Sequence, residues 1–297
     1  MDPQPGIFAV GATEHAYLEL DLADTAAPAA LVAALAALAG PETPLSGVGL
    51  VVGFRPELWA EVAPEAAPER VSSFRAIGGP GLTMPATQHD AWLWIAAGSR
   101  SAAFDATLAC VDALEGSAVV ASELNGWVYR QSRDLTGFID GTENPSVLEA
   151  ADVAVARGGP GDGSSVLLFQ RWRHLASFRA LGVAAQEAVI GRTKDDSTEL
   201  AEDVMPADSH VARTVVEEDG DELRIYRRNT AYGGPGDHGT VFVGFCASAR
   251  PLQVMLERMA GVGDGVRDAL TRHTVPLSGA YYVVPPLQAL RARAGIG

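Results

Sequence analysis

Residues 91–129 read AWLWIAAGSRSAAFDATLACVDALEGSAVVASELNGWVY. Ala91 to Ala97, with Trp92, Trp94 and Ile95, is an apolar run too short for a helix, so it reads as a strand. Ser101 then caps a helix on which Phe104, Leu108, Val111 and Leu114 form one stripe, ended by Gly116. Ala118 to Tyr129 returns as a strand, interrupted at Asn125-Gly126. Upstream, Ile7 to Val10 and Ala16 to Leu22 read as strands. A helix follows, capped by Asp24 or Thr25, with Leu31, Leu35 and Leu38 at i, i+4 and i+7 and Gly40 as its stop. Val48 to Phe54 is a further strand. The order β-α-β-β-α-β is the ferredoxin-like pattern.

Downstream of a turn-rich connector at 155–165 the order repeats. Ser165 to Trp172 is a strand, and Leu175, Phe178, Leu181, Ala185 and Ala188 share one helical face. Leu223 to Arg228 and Val241 to Ala247 are strands around a Gly-rich turn. Leu252, Met255, Leu256 and Met259 form a stripe closed by Gly261, and Ala280 to Val284 is the last strand. The sequence therefore predicts an α+β fold of two ferredoxin-like halves, 1–150 and 151–297, related by internal duplication. Their antiparallel sheets face each other with helices outside, as in a dimeric α+β barrel.

The 297 residues include 22 basic and 37 acidic side chains, a net charge of −15. That balance argues against nucleic acid or an anionic membrane as partner. With 47% hydrophobic residues the chain buries a large core. Cys110 and Cys246 make neither a disulfide framework nor a zinc cluster. They are not in a Cys-x-x-Cys-His arrangement, which excludes covalent c-type haem. The start MDPQPG lacks a basic n-region and an apolar h-region, and Ala26 to Ala39 is too short to span a bilayer. A cytoplasmic location is the expectation.

No phosphate-binding Gly-Lys loop, His-Glu-x-x-His or Gly-x-Ser-x-Gly elbow is present. The informative stretches are Gly137–Pro145 (GFIDGTENP), Ile190–Lys194 (IGRTK), Asp208–Arg213 (DSHVAR) and Tyr226–Thr230 (YRRNT). The first holds Asp140 in a Gly-rich turn, and Asp-Gly is also an ordinary turn dipeptide. His210 is one of six histidines. Arg227 and Asn229 lie two apart, on the same face of a strand, with Arg228 turned away.

Taken together, GFIDGTENP, a histidine 70 residues after Asp140 and Arg-x-Asn beginning 17 residues after that resemble the dye-decolourising peroxidase family, in its cytoplasmic, class B-like branch. The likeness also includes Gln4–Ile7, Gln88–Asp90 and Thr274–Pro286, and so covers nearly the whole chain. It implies a haem b peroxidase: one non-covalent haem per chain, reducing hydrogen peroxide and oxidising dyes, phenols or similar one-electron donors through an oxoferryl intermediate. It implies His210, in the C-terminal half, as the iron ligand, with Asp268 as the acceptor for its second nitrogen. Asp140, Arg227 and Asn229 are the implied distal catalytic group. Gly141, Thr142, Glu143, Arg192 and Arg227 are the implied haem contacts, with Lys194 beside Arg192. Phe242 and Phe245 are candidates for the distal wall, and His174 is a rival iron ligand ranked below His210. Trp172, Tyr226, Tyr232, Tyr281 and Tyr282 are candidates to carry electrons to bulky donors, and Mn²⁺ or cationic dyes would suit the acidic surface. The family commonly forms homo-oligomers, and the tail ending Ile296-Gly297 is not expected to be a nanocompartment cargo signal. Two other functions stay open: a haem-binding, haem-delivery or iron-releasing protein with incidental peroxidase activity, and a non-haem barrel for a small apolar ligand.

Overall fold

The computed structural model describes residues 1–39, 47–218 and 220–295; Gly40 and the Ile296-Gly297 end lie outside them. Eight strands carry the architecture: β1 (Glu14–Leu22), β2 (Val48–Phe54), β3 (Ala91–Ala97), β4 (Ala118–Trp127), β5 (Ser165–His174), β6 (Thr230–Gly233), β7 (His238–Cys246) and β8 (Ala280–Val284). The first four lie in the order β4-β1-β3-β2 and the last four in the order β6-β7-β5-β8. Each half thus has its fourth and first strands adjacent, then its third, then its second at the other edge. β6 pairs with β4 and β8 with β2, so the two sheets are arcs of one closed antiparallel barrel. Closure leaves few free strand edges to cover. Two short segments, Tyr226–Arg227 and Thr274–Pro276, extend the pairing along β7 and β5.

Strand alternation sorts the core into layers. Tyr17, Trp92, Trp94, Phe169, Phe245 and Tyr282 fill the barrel interior. Against the outer face of the first half pack the helices Pro28–Leu38, Arg100–Ala113 and Leu287–Ala294, through Leu31, Leu35, Ala106, Cys110 and Leu290. Against the outer face of the second half packs Ala249–Ala260, through Leu252, Met255, Leu256 and Met259. Buried Gln4 ties the halves together: its amide donates to Val52 O at 2.9 Å and Pro285 O at 3.0 Å, and accepts from Val52 N at 2.9 Å. Gln88 works similarly on Tyr281, whereas Asp90 ties Leu22 to Arg55 within the first half.

Several local expectations change. Pro5–Ile7 is a 3₁₀ turn rather than the start of a strand. The helix at 28 begins on Pro28 with Ala27 before it and no side-chain cap; proline's fixed φ and missing N–H suit the first turn, so neither Asp24 nor Thr25 is needed. Ser99, not Ser101, caps Arg100–Ala113, and its buried face is Ala103, Ala106 and Cys110, while Phe104 and Leu108 are exposed. Small side chains there allow the helix to lie close to the sheet. The expected helix after β5 breaks at Leu181-Gly182 into Ala176–Arg179 and Val183–Ile190. Leu223 to Arg228 is not one strand. Asp221–Glu222 pairs back on Glu217–Glu218, and only Tyr226–Arg227 joins the barrel. β4 runs unbroken through Asn125-Gly126. Gly126 marks the seam with β6, where a Cβ would stand 2.3 Å from Thr230 Oγ1.

Candidate active site

A cleft with an empty volume of about 920 Å³ opens between the outer face of the second half and the segments packed on it. Gln170, Trp172 and His174 face it at every second residue of β5, and Thr240 and Phe242 do so from β7. Phe245, three residues past Phe242, falls on the opposite face. It is fully buried inside the barrel and does not wall the cleft. Ile139, Ile190, Phe242, Leu256, Met259 and Leu270 make much of the lining apolar.

His210 enters the cleft from the first residue of the helix His210–Thr214, whose N-terminus is capped by Ser209 Oγ accepting from Ala212 N at 3.3 Å. Its Nδ1 lies 2.7 Å from Asp268 Oδ2. Asp268 is wholly buried and is itself fixed, because its Oδ1 caps the turn Ala269–Arg272 by accepting from Leu270 N at 2.8 Å. A carboxylate only accepts, so Nδ1 carries the hydrogen and Nε2 keeps its lone pair. Nε2 has no hydrogen-bond partner among the described residues.

Asp140, Arg227 and Asn229 line the same cleft. Asp140 sits in a tight double turn in which its N–H donates to Ser132 O at 2.9 Å and Gly141 takes φ +80°. Burial pushes its carboxyl above the usual range. The Arg227 cation opposes that push, Asp134 adds to it, and bonds from Asn229 and the Gly141 backbone pull the other way. Arg227 is held through its backbone. Asn144 Oδ1 accepts from Arg227 N at 2.7 Å, and Asn144 Nδ2 donates to Arg227 O at 2.8 Å. The GFIDGTENP turn therefore clamps the strand that bears the arginine. Asn229 Oδ1 accepts from Val243 N at 3.1 Å, where it interrupts the pairing between Arg227 and Thr230. Arg228 turns away, donates to Ile7 O and Ala9 O, and lies over the Trp94 ring at 5.1 Å.

The other implied contacts are placed differently. Gly141 lines a second cleft that adjoins the first and shares Asp134, Asp140, Arg227, Asn229 and Thr240 with it. Thr142, Glu143 and Arg192 line neither cleft. Arg192 is buried, with its guanidinium occupied by Glu143, by Glu199 at 2.9 Å and by Ser197 O at 2.8 Å. Lys194 donates to Gln186 and sits over the Phe138 ring at 5.6 Å. Of the aromatic candidates, Trp172 lines the first cleft and Tyr226 the second, and all five are buried. His174 also lines the first cleft, but its Nε2 is bound to Thr240 Oγ1 at 2.9 Å. Asp134, Gln170 and Thr240 were not singled out from the sequence. Asp134 had a signal, an acid six residues before Asp140 in the same turn, whereas Thr240 had none.

The donor set suits a flat, largely apolar group with a metal at its centre. One neutral imidazole nitrogen is available. Two buried polar atoms at the cleft, Arg227 Nε and Gln170 Nε2, have no partner. Among the described residues no three His, Cys, Asp or Glu side chains are grouped to hold a metal by themselves.

A two-half closed barrel brings one carboxylate-anchored histidine and a separate Asp–Arg group to the same cleft, an arrangement compatible with a haem enzyme. The chain belongs to the Dyp-type peroxidase family. That family's N-terminal region matches residues 4–128 and its C-terminal region residues 131–289. A dye-decolorizing peroxidase of Mycolicibacterium paratuberculosis is 33% identical over 266 residues, 83% of this chain and 75% of that protein. One from Rhodococcus erythropolis is 34% identical, over 83% of this chain and 74% of that one. Among solved structures, DyPB from Rhodococcus jostii RHA1 is 30% identical with a TM-score of 0.91, covering 98% of this chain and 97% of its own. Variants of that protein are described in complex with heme. The protein is thus a peroxidase enzyme whose co-substrates are hydrogen peroxide and electron donors.

Proposed function

We propose that the protein is a class B-like haem b peroxidase for dyes and phenols. It holds one haem per chain without a covalent bond, with His210 as the iron ligand. The observation that carries this is the 2.7 Å contact between His210 Nδ1 and buried Asp268, which leaves Nε2 basic on the cleft side. The likeness to DyPB over nearly the full length of both chains supports the branch. When bound, haem iron supplies the electrons that reduce peroxide and returns the oxidising equivalents to donors one at a time.

The chain's own residues do the rest. Asp268 fixes the tautomer and orientation of His210 and makes it a stronger ligand. The Asp140 carboxylate accepts the proton from the near oxygen of hydrogen peroxide and delivers it to the far oxygen, which leaves as water. Arg227, a permanent cation, polarises that leaving oxygen and favours the ionised form of Asp140. Its unpartnered buried Nε is the donor free for this work. Asn229, fixed on Val243 N, hydrogen-bonds Asp140 and orients it. Glu143 and Arg192 act on each other and brace the Asp140 turn from outside the cleft.

Mixing haem-loaded enzyme with one equivalent of peroxide tests this reading. Asp140→Asn and Arg227→Leu are expected to slow the first absorbance change while the Soret band stays. Slow bleaching that neither substitution alters would instead mark a haem carrier.

A further inference from the structure

Beside Asp140 runs a hydrogen-bonded chain that the mechanism above does not use. His174, at the end of β5, has its Nε2 2.9 Å from Thr240 Oγ1. The Thr240 hydroxyl in turn donates to Asp134 Oδ2, and His174 Nε2 is itself 3.8 Å from that oxygen. The other oxygen, Asp134 Oδ1, accepts from Thr136 N at 2.8 Å. The ends of this chain lie in different places. Asp134 lines both clefts that Asp140 lines. His174 lines the main cleft and also a small, largely enclosed pocket shared with the half-buried His238 and His273. His174 Nδ1 has no hydrogen-bond partner among the described residues.

We propose that His174, Thr240 and Asp134 form a proton relay from the small pocket beside His238 and His273 to the cleft wall at Asp140. This rests on the peroxidase reading, because reduction of peroxide to two waters takes up two protons that must reach a buried site. One passage balances as follows. His174 takes a proton at Nδ1 from the pocket it shares with His238 and His273 and releases the one on Nε2 to Thr240 Oγ1. Thr240 passes its own hydroxyl proton to Asp134 Oδ2, and Asp134 gives it up into the cleft. Ring and hydroxyl then turn back for the next proton.

The charges facing the relay set its resting state. Burial lowers the affinity of His174 for a second proton, neighbouring His238 lowers it further, and Asp134 partly restores it. Burial alone would raise Asp134, but the charge of His174 whenever that ring is protonated, with bonds from Thr240 and Thr136, holds it below the usual carboxylate range. At rest a neutral imidazole therefore stands at one end of the relay and a carboxylate at the other. Asp140, raised by its own burial and facing both Asp134 and Arg227, is the adjoining proton-holding group. The relay residues act through Asp140 and are positioning groups in the reaction.

Thr240→Val removes the hydroxyl at nearly constant volume, and Thr240→Ser keeps it. His174→Gln keeps an N–H donor toward Thr240 but cannot pass a proton through. In haem-free protein labelled with ¹⁵N-histidine, the wild-type and Thr240→Ser chains are expected to show His174 protonated at Nε2, with that signature altered in Thr240→Val. In haem-loaded protein, where both external protons are taken up together with the donor electrons, Thr240→Val and His174→Gln are expected to slow steady-state donor oxidation about tenfold or more while the first peroxide-dependent step keeps its rate. That loss should deepen as pH rises and be relieved by small buffer acids, whereas Thr240→Ser behaves as wild type. A wild-type steady-state rate and pH profile in either Thr240→Val or His174→Gln, with the Soret band intact, would overturn the relay. So would equal slowing in Thr240→Ser. The peroxidase reading fails on a different result, persistence of the Soret band after loss of His210.

Discussion

Asp268→Asn exchanges one carboxylate oxygen of a wholly buried side chain for an amide nitrogen, and the structure dictates the consequence. Oδ1 caps the turn at Leu270 N at 2.8 Å, and Asn retains that acceptor, so the cap survives. The second position now carries an amide N–H, 2.7 Å from His210 Nδ1 in the parent geometry. Two donors cannot face each other, so Nδ1 must become the acceptor and the ring hydrogen moves to Nε2. An Nε2 that bears hydrogen cannot bind iron. Loss of such a supporting carboxylate typically costs about 10–100-fold in metal affinity, or about 1.4–2.8 kcal/mol. Folding stability should change less, because the cap remains. Asp268→Ala also removes the cap, at about 1 kcal/mol more. The assay is titration of the haem-free chain with haem, read at the Soret band, beside urea unfolding of the haem-free chain. Haem affinity of Asp268→Asn within twofold of wild type would refute the reasoning.

Three further outcomes are expected. Asp140 works as a carboxylate, so the peroxide step is present above its folded pKa and lost below it. Because burial raises that pKa, the loss should begin at higher pH than for an ordinary aspartate, and stopped-flow rates across the acid range check this. Asn144→Ala removes both bonds to the Arg227 backbone, with an expected loss of about 1–3 kcal/mol in urea unfolding and a slower peroxide step at retained haem. Glu19, buried in the barrel and accepting from Tyr282 Oη at 2.8 Å, is pushed up to about 7, chiefly by burial. A raised folded pKa gives stability that is full below the unfolded value and lost as pH rises through the folded one. A fall of about 3 kcal/mol between pH 4 and pH 8 follows, and Glu19→Gln should flatten that slope in haem-free protein.

Much of the barrel was legible because strand signals are local. Trp92, Trp94 and their neighbours announce β3 by length and content, and the repeated element order gives the two halves. What failed was phase and closure. Phe104 and Leu108 dominate any hydrophobic periodicity, yet Arg100–Ala113 buries its alanines and Cys110, since close approach to a sheet selects for small side chains. Pairing of β4 with β6 and β2 with β8 joins residues far apart in sequence and leaves no local mark. At the site, the resemblance to the family pointed to His210, Asp140, Arg227 and Asn229, and the cleft does gather them. Arg192 and Glu143 were read as haem contacts, yet they satisfy each other outside the cleft lining. A sequence does not tell whether an arginine's partner is a cofactor or a nearby acid. Thr240 escaped because a hydroxyl on a strand is indistinguishable from packing until its neighbours are known.

The central claim is the bond between His210 and iron. The direct measurement is the absorption and electron paramagnetic resonance spectrum of His210→Ala purified with haem in excess, beside wild type. The account predicts loss of the Soret band and of the five-coordinate ferric signal, with both restored in part by added imidazole. An undiminished Soret band and an unchanged ferric signal in His210→Ala would contradict it.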